Sequence, residues 1–162
     1  MYSTGIFLIT RKNKQTMTSP YFKNIKRIAI VAYADTRKDL IEWSYANKNV
    51  LKNHIIISTA RTASIFEGTL NTPVLNLHHG KAGGYQQIKE LLDEGKIDII
   101  MFFGNPNKAV IKDSWFDELI NVAINNDVVV AYNQATINML LTSIAITDTE
   151  VKDQRTYEYP TV

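Results

Sequence analysis

The sequence predicts an α/β domain built on five parallel strands with helices on both faces. Three observations carry that prediction. Short apolar runs recur along the 162 residues, most of them without the polar alternation of a half-exposed strand. Amphipathic helical periods separate them, so consecutive strands connect by right-handed crossovers and run parallel. The length suits one domain, large enough to bury about two thirds of its unfolded surface.

The first strand is RIAIVAY (27–33), apolar on both faces. TRKDLIEWSYANKNVLKN (36–53) follows with Leu40, Ile41, Trp43, Ala46, Val50 and Leu51 near helical spacing, and Thr36 with Asp39 reads as a capping box at its start. HIIIS (54–58) is a second strand, RTASIFEGTL (61–70) a short helix, and PVLNL (73–77) a third strand. A glycine-spaced loop, HHGKAGG (78–84), leads into the helix YQQIKELLDEG (85–95) and the most apolar strand, IDIIMFF (97–103). DSWFDELINVAIN (113–125) is helical, DVVVAY (127–132) is the fifth strand, and QATINMLLTS (134–143) is a last helix capped by Asn133. The expected organisation is a flexible leader over 1–26, a domain over 27–148 and a tail or arm over 149–162.

Composition excludes several function classes. A net charge of +2 with both signs interspersed is not the footprint of a nucleic-acid binder. The absence of cysteine removes disulfides, thiolate catalysis and thiolate metal sites, and fits a reducing compartment. The apolar run around Ile6–Ile9 is too short for a secretory signal, and no run approaches a membrane span. The expectation is a cytoplasmic protein without a membrane or nucleic-acid partner. Neither a metal nor a cofactor is expected: His54 opens a strand, adjacent His78 and His79 are poorly placed to share an ion, GKAGG is not a Walker loop, and Gly-x-Gly-x-x-Gly is absent.

In a parallel sheet, ligands bind beyond the carboxyl ends of the strands. The segments leaving those ends carry Arg37, then Thr59, Arg61 and Thr62 at a helix start, then His79, Gly80 and Lys81 in the glycine loop. Helix-start amides, threonine hydroxyls, a guanidinium and a close-approaching glycine backbone all suit an anion, and a phosphate above others. Asn105 and Asn133 leave the fourth and fifth strands and are expected to line the same pocket.

RIAIVAY…DLIEW, GGYQQI, EGKIDIIMFF and AYNQAT together resemble methylglyoxal synthase and its wider superfamily, from about Ile28 to about Asp148. The resemblance implies a flavodoxin-like three-layer sandwich, commonly a homohexamer, and an enzyme that deprotonates dihydroxyacetone phosphate to an enediolate and expels phosphate, leaving methylglyoxal. The family's cation after the first strand falls on Arg37. Its Thr-Gly-Thr-Thr-Gly turn falls on Thr59, Ala60, Arg61, Thr62 and Ala63, and its Ser-Gly pair on His79 and Gly80. Its acids and bases match Tyr33 and Ala34 (for His-Asp), Tyr85 (for the aspartate of Gly-Gly-Asp-Gln-Gln), Asn105 (for the aspartate of Trp-Asp-Pro) and Lys112, with Trp115 at a further acid. A phenol, with an ordinary pKa of about 10, does not replace a carboxylate base at neutral pH.

On that pattern the expected function is binding without turnover. The protein would be a catalytically degenerate member that holds a phosphorylated small molecule, of nucleotide or nucleotide-derived type, as a sensor or sponge, with Tyr33 and Tyr85 stacking on a base. Two alternatives stand beside it. One is an active synthase or related lyase that uses Asp35 or a histidine as base. The other is an oligomeric assembly protein with a vestigial pocket and a clasping tail.

Overall fold

Five strands form one parallel sheet in the computed structural model, which describes residues 25–104 and 114–145. They are β1 (Arg27–Ala32), β2 (Ile55–Thr59), β3 (Leu75–Leu77), β4 (Ile99–Phe103) and β5 (Val129–Ala131), and they lie in the order β3-β2-β1-β4-β5. The flavodoxin-like α/β architecture expected from the sequence is therefore present. Central β1 from Ile28 onward and all of β4 are apolar because each is covered on both faces, and every residue of β4 is buried. The edge strands are shorter than the apolar runs that announced them. β3 pairs only with Ile57–Thr59 and β5 only with Ile99–Met101, so each edge strand keeps three residues in register with its single neighbour.

The helices are α1 (Arg37–Ala46), α2 (Lys48–Leu51), α3 (Ala60–Leu70), α4 (Gly84–Asp93), α5 (Ser114–Asn125) and α6 (134–145). Strand parity divides the core between them. Ala29, Val31, Ile57, Leu77, Ile100 and Phe102 face Ile88 and Leu92 of α4 and Phe116, Leu119 and Ala123 of α5. Residues of the other parity, such as Phe103, meet the opposite layer, where the Trp43 ring of α1 packs 5.1 Å from Phe103. Lys89 and Glu118 join α4 to α5 by an ion pair.

The unit described here is Lys26–Thr142; a second unit comprises Met1–Ile25 and Ser143–Val162, of which only residues 25 and 143–145 are described. The expected leader and tail otherwise lie outside the described residues. Among the described residues, no helix is long and apolar enough to cross a membrane, and no His/Cys/Asp/Glu group is arranged to hold a metal.

Two local expectations are corrected. The Thr36–Asp39 capping box does not form. A 3-10 turn at Ala34–Thr36 precedes α1, and the Thr36 hydroxyl donates back to the Tyr33 carbonyl at 2.7 Å instead of capping forward. The long helical period over 36–53 is broken at Asn47, whose side-chain amide donates to the Trp43 carbonyl at 2.8 Å and competes with helix continuation. The Asn133 cap does form, its Oδ1 accepting from the Thr136 N–H at 2.9 Å. His54 is buried, and its Nδ1 accepts from the Lys26 N–H at 3.1 Å, a structural use.

At the amino edge of the sheet, Arg27 and Asp98 staple β1 to β4. The guanidinium donates Nε–H and Nη2–H to the two carboxylate oxygens at 3.0 and 2.7 Å, and the Arg27 backbone N–H adds a third bond at 2.7 Å. These bonds, the Arg27 side chain first, hold the Asp98 carboxyl below its ordinary range despite partial burial. Because the folded pKa is the lower one, the stabilisation is present above the unfolded value of about 3.9 and is lost as pH falls through the folded value. Asp98→Asn is expected to destabilise the domain by about 1–2 kcal/mol near neutral pH, discounted for partial exposure. The difference from wild type in urea midpoint should shrink as pH falls below about 4, where the unfolded carboxylate takes up a proton before the native one does.

Candidate functional site

The strand order reverses between β1 and β4: the chain builds outward through β2 and β3, then returns to the other side of β1. A crevice at the carboxyl ends of β1 and β4 follows from that reversal. The ladder runs one residue past β1, with the Tyr33 N–H donating to the Phe103 carbonyl at 3.0 Å. The Tyr33 ring then stacks on Phe116 of α5, with centroids 4.1 Å apart and planes 7° from parallel. Tyr85, in the first turn of α4, meets Phe116 edge-on at 6.0 Å and Trp115 at the same distance.

A second wall comes from the turn between β2 and α3. Thr59 and Thr62 are buried, and neither hydroxyl has a hydrogen-bond partner among the described residues. Arg61, on the exposed side of the same turn, has no carboxylate partner among the described residues. The third wall is the loop after β3. The His79 carbonyl accepts from the N–H groups of Ala82 and Gly84, both at 2.9 Å, and the Gln87 side chain accepts from the His78 N–H at 2.8 Å. Gly83, at φ +109°, makes the left-handed step that starts α4.

These walls enclose an open cavity of about 360 Å³, bordered by Thr59, Arg61, Thr62, His79, Gly80 and Lys81 and, on its aromatic side, by Tyr33, Tyr85 and Phe116. A smaller lobe of about 120 Å³ adjoins it along Ala32–Ala34, Arg61 and Thr62, and is completed by Arg37, Leu40 and Ile65. Among the described residues, no acidic side chain borders either lobe. The chemistry of the lining is that of an anion site with one apolar, aromatic wall.

All seven residues expected to hold an anion, Arg37, Thr59, Arg61, Thr62, His79, Gly80 and Lys81, border one lobe or the other. Asn133 borders neither of these lobes, since its amide is spent on the α6 cap. Asn105 and Lys112 lie outside the described residues. Asp35, in the 3-10 turn, also borders neither lobe, whereas His79 does. Phe116 escaped the sequence reading because the site was sought in segments leaving strands, while this ring enters from the start of a helix. Its only signal was the buried stripe it forms with Leu119 and Ala123.

No family model matches the chain. Individual proteins do. The chain is 35% identical over 118 residues to the methylglyoxal synthase of Pectobacterium atrosepticum, covering 73% of this chain and 78% of that one. It is 36% identical over 119 residues to the enzyme of Coxiella burnetii, covering 74% and 83%. The chain belongs to the methylglyoxal synthase family. The crystal structure of methylglyoxal synthase from Elizabethkingia anophelis superposes with a TM-score of 0.67 at 30% identity, over 73% of this chain and 78% of that one.

The relationship corrects the expected function. A binding-only sensor or sponge for nucleotides is not what these relatives are. Proteins 31–36% identical over most of their length are methylglyoxal synthases, and they favour the alternative reading, the lyase.

Proposed function

We propose that this protein is a carbon–oxygen lyase of the methylglyoxal synthase type, converting dihydroxyacetone phosphate to methylglyoxal and phosphate. The observation that carries the reading is its relatedness, along most of both chains, to proteins bearing that name. The site chemistry agrees with it. The substrate phosphate is taken by the Thr59 and Thr62 hydroxyls, the Arg61 guanidinium and Lys81, at the start of α3. Deprotonation of the hydroxymethyl carbon gives an enediolate, whose charge the same cations stabilise as it develops. Collapse of the enediolate expels phosphate from the far carbon, and the enol left behind takes up a proton to become methylglyoxal.

The proton acceptor differs from the family's. Tyr33, Ala34, Tyr85, Asn105 and Lys112 stand where the family carries its acids and bases, so in this reading another group does that work. His79 is the side chain bordering the cavity whose residue type suits proton transfer near neutral pH. The Tyr33 and Tyr85 rings close the aromatic wall and shield the enediolate from water.

Incubation with dihydroxyacetone phosphate should yield methylglyoxal and inorganic phosphate in equal amounts, well above the rate without protein. Yields no higher than that background would remove the lyase reading.

A further inference from the structure

GGYQQI carries two adjacent glutamines, and the fold uses them differently. Gln86 lies on the exposed face of α4 and donates to Glu90, four residues on, at 3.2 Å. Gln87 reaches back past the start of the helix, and its Oε1 accepts from the His78 N–H, nine positions earlier, at 2.8 Å. That amide lies beyond the ladder: the β2–β3 register ends at the Thr59–Leu77 pair, and β2 then turns into α3. The His78 carbonyl is held from the other side, accepting from the N–H of Ala60, the first residue of α3, at 3.3 Å. One residue therefore ties α4 to the turn that carries Thr59, Arg61 and Thr62. It also stands directly before His79, Gly80 and Lys81, the facing wall of the cavity.

The turn after His78 is shaped by backbone, through the His79 carbonyl and the N–H groups of Ala82 and Gly84. Those bonds set the form of the loop, and the Gln87 bond sets where it stands against α3. We propose that Gln87 is a positioning residue of the site. Through His78 it holds the wall of His79, Gly80 and Lys81 against Thr59, Arg61 and Thr62, so that both walls meet one anion. For turnover the inference rests on the lyase reading; for anion binding it does not. Linkage gives it a reciprocal consequence. An anion that needs both walls binds the latched loop more tightly than the released one, so it strengthens the Gln87–His78 bond by the same factor.

Binding is tested first, without turnover. By calorimetry, Gln87→Leu, which removes the acceptor, should bind inorganic phosphate about 3- to 10-fold more weakly than wild type, the worth of one hydrogen bond. Gln86→Leu, one position away, should bind it as wild type does. Hydrogen exchange at the His78 amide is the second readout, and it needs no variant. Saturating phosphate should slow that exchange in wild type by about the same factor, a response that a merely structural bond would not show. Gln87→Glu, which still accepts, should keep the His78 amide better protected than Gln87→Leu does. Unchanged phosphate affinity in folded Gln87→Leu, or a His78 amide whose exchange ignores phosphate, overturns the proposal, as does a wild type that binds no phosphate. Turnover separates the two readings. Dihydroxyacetone phosphate consumed with the same kcat and KM by wild type and Gln87→Leu ends this inference and leaves the lyase standing. Phosphate-dependent protection at His78 with no methylglyoxal formed ends the lyase reading and leaves Gln87 in its role.

Discussion

His79→Gln should lower kcat for methylglyoxal formation by about 10²–10⁴, the ordinary worth of a positioned general base. The fold should not feel the change. The side chain is exposed, and the loop around it is built by backbone: the His79 carbonyl receives the Ala82 and Gly84 N–H groups, and His78 is tied to Gln87. An exposed substitution of this kind stays within about 0.5 kcal/mol of wild type, so a large rate loss with an unchanged urea midpoint assigns the effect to chemistry. Asp35→Asn is the matching control. Asp35 borders neither lobe of the cavity, and its replacement should leave kcat within a small factor of wild type. A rate lost on Asp35→Asn and kept on His79→Gln would reverse the assignment of the base.

How much of this was legible in the sequence depended on whether a feature was local. The central strands were, because burial on both faces leaves uninterrupted apolar runs such as IIMFF, which nothing but a covered strand or a buried helix tolerates. The anion-binding residues were too, since a parallel sheet delivers every strand's carboxyl end to one edge. Arg37, Thr59–Thr62 and His79–Lys81 therefore meet there although they come from three connections. The aromatic wall was not, because the Tyr33–Phe116 stack joins residues more than eighty positions apart, and only the docking of α5 brings them together. Thr36 misled because its hydroxyl had two backbone choices, and the 3-10 turn decided for the backward one. The expected loss of function came from matching acids position by position. Proton transfer asks only for a suitable group within reach of the carbon, and reach is a property of the folded loop.

That loop also sets the largest expected stability effect, Gly84→Ala. Alanine at this first position of α4 would gain up to about 1 kcal/mol of helix propensity over glycine. The packing opposes it more strongly. An added Cβ would stand 2.2 Å from the His78 carbonyl oxygen and 2.9 Å from Thr59 Cγ2. The oxygen is backbone, accepting from the Ala60 N–H at 3.3 Å, so relief means moving the β3 loop off the start of α3. Overpacking against such partners costs about 3 kcal/mol, which outweighs the propensity gain and leaves a net loss near 2 kcal/mol. The displaced loop carries His79, Gly80 and Lys81, so activity should fall with stability. Gly68→Ala provides the opposite sign from the same substitution. Gly68 lies within α3 with nothing inside 4 Å of the added carbon, and alanine there should stabilise by about 0.5–1 kcal/mol. Urea unfolding of the two variants should therefore move in opposite directions from wild type. A Gly84→Ala midpoint at or above wild type would mean that the β3 loop yields freely, and a loop that yields cannot hold His79 and Lys81 in register with Arg61 and Thr62.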